Sequence, residues 1–242
     1  MPSAEKSRII VLHLTKYGDS GMIVQSLDSV SGRKSFFLRG LGRNNSVLLS
    51  NFHPLSMLDV VAASSPKSSM SYLREYTPAY QLNALRSDIY KSPIALFISE
   101  LLYRCMREDE CSGELFDFIC DSIVALDGFK GSAANFHLWF LVAFAARLGF
   151  FPNNDYSEDK PLFNIASASF VAPFAYQQGV FSPENSRLLH LILALPFEEV
   201  MKLEMSGRRR SAFSQEMVDY LSHHLGISIN IKSLAILHEI FS

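Results

Sequence analysis

The stretch Arg8–Leu41, RIIVLHLTKYGDSGMIVQSLDSVSGRKSFFLRGL, decides the fold class. It holds three strand-like runs, Arg8–Leu14, Gly21–Leu27 and Lys34–Leu41. The turn-forming Tyr17-Gly18-Asp19-Ser20 and the segment Asp28 to Gly32 separate them. Breaks that short leave no room for a helix between strands. Downstream, Pro54–Ala63 alternates in part and Ser71–Tyr76 is a fifth short candidate. The breaks before these two are Gly42 to Ser46 and Ser64-Ser65-Pro66-Lys67-Ser68. Five short, roughly even strands predict a small closed or nearly closed β-barrel. An OB-fold is the commonest five-stranded solution, and periodicity alone leaves an SH3-like barrel open.

Beyond residue 80 the hydrophobic period becomes helical. In Pro93–Arg107, Ile94, Phe97, Ile98, Leu101, Leu102 and Cys105 form one stripe, and Pro93 suits a first turn. Glu114–Leu126 repeats the pattern. Ala134–Leu148 is apolar on nearly all sides, which predicts a buried central helix ended by Gly149 and Pro152. Arg187–Leu195, Ser214–Leu225 and Ile231–Phe241 complete the helices. Asn153–Ser182 reads as a non-helical excursion with a hairpin at Phe163–Phe170. The expected architecture is α+β in two domains. A five-stranded OB-fold-like β-barrel spans 1–80. An α-helical bundle spans 81–242, with its excursion at about 153–182.

The chain has 242 residues, of which 48% are hydrophobic and 19% charged, which excludes a disordered chain. Cys105, Cys111 and Cys120 fit neither a disulfide framework nor a zinc knuckle and read as free thiols of a reducing compartment. The N-terminus lacks a signal-peptide cleavage site. The longest uncharged apolar stretch, Leu138–Ala146, is half of the ~18 residues a span requires. A cytoplasmic protein with no membrane association is the expectation. Net charge is −2, yet residues 1–80 carry nine Lys/Arg against five Asp/Glu, while 81–242 carry thirteen against nineteen. That asymmetry points to a polyanion partner for the barrel half.

Catalytic signatures are missing. Neither GxxxxGK[ST] nor GxGxxG occurs, and there is no GxSxG elbow or HExxH. His223 and His224 diverge by about 100° on a helix. The pairs Asp109/Glu110 and Glu198/Glu199 read as solvated faces, and Asp19, Asp28 and Asp59 fit no motif. No cofactor, metal or enzymatic activity is expected.

The strongest constellation is RKSFFLRGLGRNNS, residues 33–46. On a strand, Arg33, Ser35, Phe37 and Arg39 share one face and Lys34, Phe36 and Leu38 the other. Cations beside a flat ring suit single-stranded nucleic acid, with charge along the backbone and a platform for a base. Gly40 and Gly42 would let a phosphate approach the main chain. The competing reading buries Phe36 and Leu38 in the barrel, packs Phe37 under a helix and leaves the cations solvated. The candidate DNA contacts are Lys16, Arg33, Lys34, Arg39 and Arg43, with Phe37 as base platform. A second cluster, Arg208-Arg209-Arg210 ahead of a helix start near Ser214, either solubilises a loop or grips an acidic partner. With Lys232 it makes a candidate edge for an acidic partner, either phosphate or the carboxylates of a peptide, since arginine can donate two parallel hydrogen bonds.

The order of these signals resembles the recombination mediator RecO family, in the form found in Bacteroides-like bacteria. Ile9-Ile10-Val11-Leu12, Thr15-Lys16-Tyr17-Gly18-Asp19-Ser20 and Ile23-Val24 are similar to its opening strand pair. Gly32 followed by Phe37-Leu38-Arg39-Gly40 resembles its next strand, and Phe52-His53-Pro54-Leu55 the lead-in to its fourth. Ile98-Ser99-Glu100-Leu101-Leu102, Glu114-Leu115-Phe116, Leu148-Gly149-Phe150-Phe151-Pro152 and Ile231–Leu237 follow in the family's order. The resemblance implies an N-terminal OB-fold, a helical C-terminal domain and no bond chemistry. It also implies binding of single- and double-stranded DNA, annealing of complementary strands, and engagement of the C-terminal tail of single-strand binding protein. With RecR, such a protein loads RecA. Nucleoid association goes with that role. The alternative is a non-catalytic interaction scaffold whose barrel does not touch nucleic acid. Many relatives hold zinc with four cysteines after the LG-x-x-P step, but Asn153–Ser182 contains no Cys and no His. Its order is therefore expected to rest on Phe163, Phe170, Phe174, Tyr176 and Phe181.

Overall fold

One long strand closes the barrel. In the computed structural model, which describes residues 4–18, 21–39, 50–65, 68–108, 111–173 and 178–241, β1 (Ala4–Tyr17) pairs with two neighbours. Its residues Ala4–Ile10 run antiparallel to β4 (Met57–Ser65), and Ile9–Tyr17 run antiparallel to β2 (Gly21–Asp28). With β3 (Gly32–Arg39) and β5 (Ser68–Pro78), the order is β1-β2-β3-β5-β4, closed by the β1–β4 pairing. β3 and β5 are parallel, through Phe36↔Ser71 and Phe37↔Tyr72. This is the expected OB-like barrel.

The turn between β2 and β3 is built by one side chain. The buried Asp28 carboxylate accepts the N–H groups of Val30 and Ser31, each at 2.9 Å, and the Ser7 hydroxyl. Gly32 then takes φ +66°, a conformation that glycine adopts without penalty.

The interior holds Ile9, Val11, Val24, Phe36, Leu38, Phe52, Leu58, Val60, Ala62 and Leu73. Ile10 and Leu12 point the other way, yet they are equally buried. Two further elements explain this: α1 (Ala84–Ser87) leads into α2 (Lys91–Cys105), which lies against β1. The Ser99 hydroxyl of α2 donates to the Leu12 carbonyl. A strand covered on both faces reads as a continuous apolar run rather than an alternating one, and Ile9-Ile10-Val11-Leu12 is that run. α3 (Gly113–Gly128) completes this unit.

Packing therefore divides the chain into Met1–Gly128 and Phe129–Ser242, whereas the change from strands to helices comes at about residue 80. The second unit is organised on α4 (Phe136–Arg147), where Phe136, Leu138, Phe140, Leu141, Phe144 and Ala145 are fully buried. The expected hairpin is present as β6 (Leu162–Asn164) and β7 (Ser169–Val171). α5 (Pro183–Ala194) starts on a Ser182 cap, and α6 (Phe197–Lys202) is a short helix that the sequence pattern did not announce. α7 runs Gly207–Leu225 and α8 Ser233–Phe241. The helix expected to start near Ser214 thus starts seven residues earlier. The Ser206 hydroxyl accepts the Arg209 N–H and fixes that start. Arg208–Arg210 are its first turn, not a loop.

Ring packing and hydrogen bonds hold the described part of the excursion, including those of His190 to Asn154 and of His224 to the Ile165 carbonyl. Phe163 meets Phe170, Phe181 and Tyr220 at 5.1–5.6 Å between centroids, and its N–H donates to the Ser186 hydroxyl. Asp155 accepts the Phe170 N–H at 2.9 Å. Phe174 and Tyr176 lie outside the described residues.

Two predictions follow from burial. Phe36→Ala removes a ring with 0% exposure from the barrel interior and is expected to cost about 3–5 kcal/mol in chemical unfolding. A loss under 1 kcal/mol would contradict this packing. His137 of α4 is buried and stacked on Phe241, and burial, with Arg210 nearby, holds its pKa at about 3. An unfolded histidine titrates near 6.5. Between those values the unfolded chain binds a proton that the native one does not. Stability is then complete above about pH 6.5 and falls by up to about 1.4 kcal/mol per unit as pH drops below it. Urea unfolding at pH 7.5 and 5.5, read at Trp139, should show this loss in the wild type and a smaller one in His137→Leu. Identical pH dependences would refute it.

Candidate nucleic-acid interface

The alternation along β3 is as its sequence implies: Phe36 and Leu38 enter the barrel while Arg33, Ser35, Phe37 and Arg39 face out. The outward residues then divide. Arg33 turns toward α2: its guanidinium donates to the Tyr103 carbonyl at 3.0 Å and stands 5.4 Å over the Tyr103 ring. Its N–H donates to the Arg107 carbonyl. A cation on the last carbonyls of a helix is favourable, so Arg33 ties barrel to helix. Ser35 donates to Gln25.

Phe37 and Arg39 belong to an aromatic cluster instead. The Phe37 ring meets Tyr17 and Tyr72 edge to face, each at 5.7 Å. The Arg39 guanidinium lies 4.6 Å over the Tyr72 ring and 5.8 Å from that of Phe37. Gly21 permits this, because a Cβ there would sit 2.6 Å from the Phe37 ring. Phe37 is thus held against the sheet on the barrel's outer surface, not under a helix. Tyr17 is 59% exposed.

Lys34 pairs with Glu5 at 3.2 Å, and Arg8 makes a two-pronged bridge to Asp59 at 2.8 and 3.2 Å. Lys16 and Arg39 are exposed and, among the described residues, meet no carboxylate. Arg43, with Gly40 and Gly42, lies outside the described residues. Of the six proposed DNA-binding residues, Phe37 and Arg39 therefore share one cluster, Lys16 immediately precedes Tyr17 of that cluster, Lys34 is ion-paired and Arg33 faces a helix end. Tyr17 and Tyr72 escaped the sequence reading. Tyr17 lies opposite Gly21, itself opposite Arg39, and Phe37 lies opposite Tyr72. Only strand pairing brings those rows together.

In the second unit the arginines also divide. Arg210 donates to the Asn135 side-chain oxygen at 2.9 Å, and burial pulls its pKa below the ordinary value. The Asn135 amide donates to the carbonyls of Val200 and Leu203. Arg209 donates to the Glu184 carbonyl, while Arg208 and Lys232 are exposed. Arg210 edges a groove of about 700 Å³ with Phe129, Met201, Leu203 and Met205 as apolar lining and Lys202, Glu198 and Glu204 as charged lining.

Among the described residues the thiols are held in their protonated form. Burial raises the thiols of Cys105 and Cys120 to about 12 and that of Cys111 to about 11, far from the thiolate that reacts. Among the described residues no three His, Cys, Asp or Glu side chains gather as metal ligands would. Among them, too, no helix is long and apolar enough to cross a membrane.

Comparison with known proteins accords with this architecture. The family model described as Recombination protein O N terminal matches residues 1–82, and that described as Recombination protein O C terminal matches residues 86–235. A DNA repair protein RecO of Phocaeicola vulgatus is 34% identical over 239 residues, covering 98% of this chain and 99% of the relative. One of Bacteroides fragilis is 32% identical over 241 residues and one of Flavobacterium johnsoniae 31% over 240, with the same coverage. Two domain matches in order and full-length relatives above 30% identity, on a barrel followed by helices, lead to one conclusion: the chain belongs to the RecO family of DNA repair proteins.

Proposed function

We propose that the chain is a non-catalytic recombination mediator whose barrel binds single- and double-stranded DNA. In this reading it anneals complementary strands and helps load RecA, with RecR, onto strands covered by single-strand binding protein. The observation that carries the reading is the cationic surplus of the barrel half, with Lys16 and Arg39 exposed and unopposed by a carboxylate among the described residues. Phosphates compete for such cations without first breaking an ion pair. Lys34 joins by exchanging Glu5 for a phosphate, and Arg43 extends the set beyond Arg39. Arg33 contributes by holding β3 to α2 rather than by touching DNA. Annealing requires charge neutralisation between two strands and a reversible grip, so it needs no general acid, base or metal.

Affinity should fall steeply with salt, with a slope near 0.7 per phosphate contact on single strands. The double variant Lys16→Ala, Arg39→Ala is expected to lower that slope by about 1.4 in an anisotropy titration. A slope equal to that of the wild type would remove these residues from the interface. Absence of binding at low salt would favour the interaction scaffold.

For the helical half, the groove beside Arg210 supports a docking site for the acidic C-terminal tail of single-strand binding protein. Its volume is within the range of ligand pockets. An apolar floor takes an aromatic side chain while Arg210 takes the terminal carboxylate, with Arg208, Arg209 and Lys232 supplying charge further out. Calorimetry should detect an acidic peptide ending in Phe and show about tenfold weaker binding once its carboxylate is amidated. Equal affinities of the two peptides would contradict the assignment.

A further inference from the structure

We propose that Tyr17, together with the stacked Arg39–Tyr72 pair, forms a subsite for unpaired DNA bases, which makes this face of the barrel selective for single strands over duplex. The inference rests on the reading that the barrel binds DNA, and it names what that surface recognises.

Three rings and one cation make the subsite. Tyr17 ends β1 and is 59% exposed, with Phe37 against it at 5.7 Å and an interplanar angle of 82°. Phe37 itself is wedged between Tyr17 and Tyr72 and pressed over Gly21. It is therefore a wall that holds Tyr17 upright, and the outward-standing ring is Tyr17. A tyrosine braced by Phe37 on one side loses less rotamer freedom when a base stacks on it than an unbraced one, so more of the stacking gain is kept. At the other side, Arg39 lies 4.6 Å over Tyr72. A guanidinium stacked on a ring keeps its in-plane N–H donors for a phosphate oxygen, and its outer face can carry a second base.

The occupant follows from the chemistry. Flat faces beside an unopposed cation, on the half of the chain with surplus positive charge, fit a polyanion that carries aromatic faces. Base faces are available only where bases are unstacked; a duplex presents edges and phosphates. Duplex therefore gains charge contacts from Lys16 and Arg39 but nothing from Tyr17. Base stacking on an aromatic side chain is sequence-tolerant, which suits a protein that must handle any strand.

The test uses the full chain, with a dye-labelled 20-nucleotide strand and its duplex in anisotropy titrations at one salt concentration. Tyr17→Ala is expected to weaken the single strand about 5- to 100-fold and the duplex less than twofold. Tyr17→Phe should leave both within twofold. In Tyr17→Trp, indole emission should be quenched by the single strand and not by the duplex. Equal weakening of both forms by Tyr17→Ala, or no weakening of the single strand, overturns the subsite and leaves DNA binding by the barrel standing. Failure of the wild type to bind either form overturns the DNA reading itself.

Discussion

Burial of β1 on both faces is the constraint on which the first unit depends. Ile9 and Val11 fill the barrel, while Ile10 and Leu12 fill the space under α2. In a closed barrel every strand pairs on both edges, and β1 does so by giving its first half to β4 and its second to β2. The changeover occurs near Val11, where the register shifts and the chain before β4 inserts: the Val11 N–H donates to Ser56, and Leu55 donates back to the Val11 carbonyl. Leu55 holds φ +64° to do this, an uncommon conformation for a branched residue. Closure satisfies the strand edges, and the helix desolvates the outer wall on one side. The sheet surface around Tyr17, Phe37 and Tyr72 is left for other work.

The arginines illustrate how one side-chain chemistry serves different ends according to what surrounds it. Arg8 meets a carboxylate, Arg33 a helix C-terminus, and Arg210 an asparagine at the foot of α4. Three cations in the first turn of α7 oppose the helix macrodipole. Its Ser206 cap and the bonds from Arg209 to Glu184 and from Arg210 to Asn135 offset that penalty. Local preference broken at one spot and repaired by neighbours is common where a surface has a task. Arg39, by contrast, has a ring beneath it and no counter-charge among the described residues.

The excursion after α4 is held by the burial of aromatic rings. A short irregular segment must be tied down, either by metal ligation or by burial. Here Phe163, Phe170 and Phe181 are buried together and Tyr156 stacks on His190 at 4.6 Å. Aromatic rings bury much area per residue and hold defined geometry, so a segment of this length can be ordered without thiolate ligands.

The strands, the buried central helix, the hairpin and the shared face of Phe36 and Leu38 were legible in the sequence, because each is set by the periodicity of a few neighbouring residues. The cationic bias of the barrel half was legible for the same reason, since charge counts need no coordinates. Other features depend on residues far apart in the chain. Arg33 looked identical to Arg39 until α2, some seventy residues later, supplied a carbonyl for it. The early start of α7 hinged on a single serine cap. Tyr17 and Tyr72 became neighbours of Phe37 only because β1 pairs with β2, and β2 and β5 both pair with β3. Short-range pattern assigns each residue to a face; strand register and helix docking decide which faces meet, and so which cations remain open to a ligand.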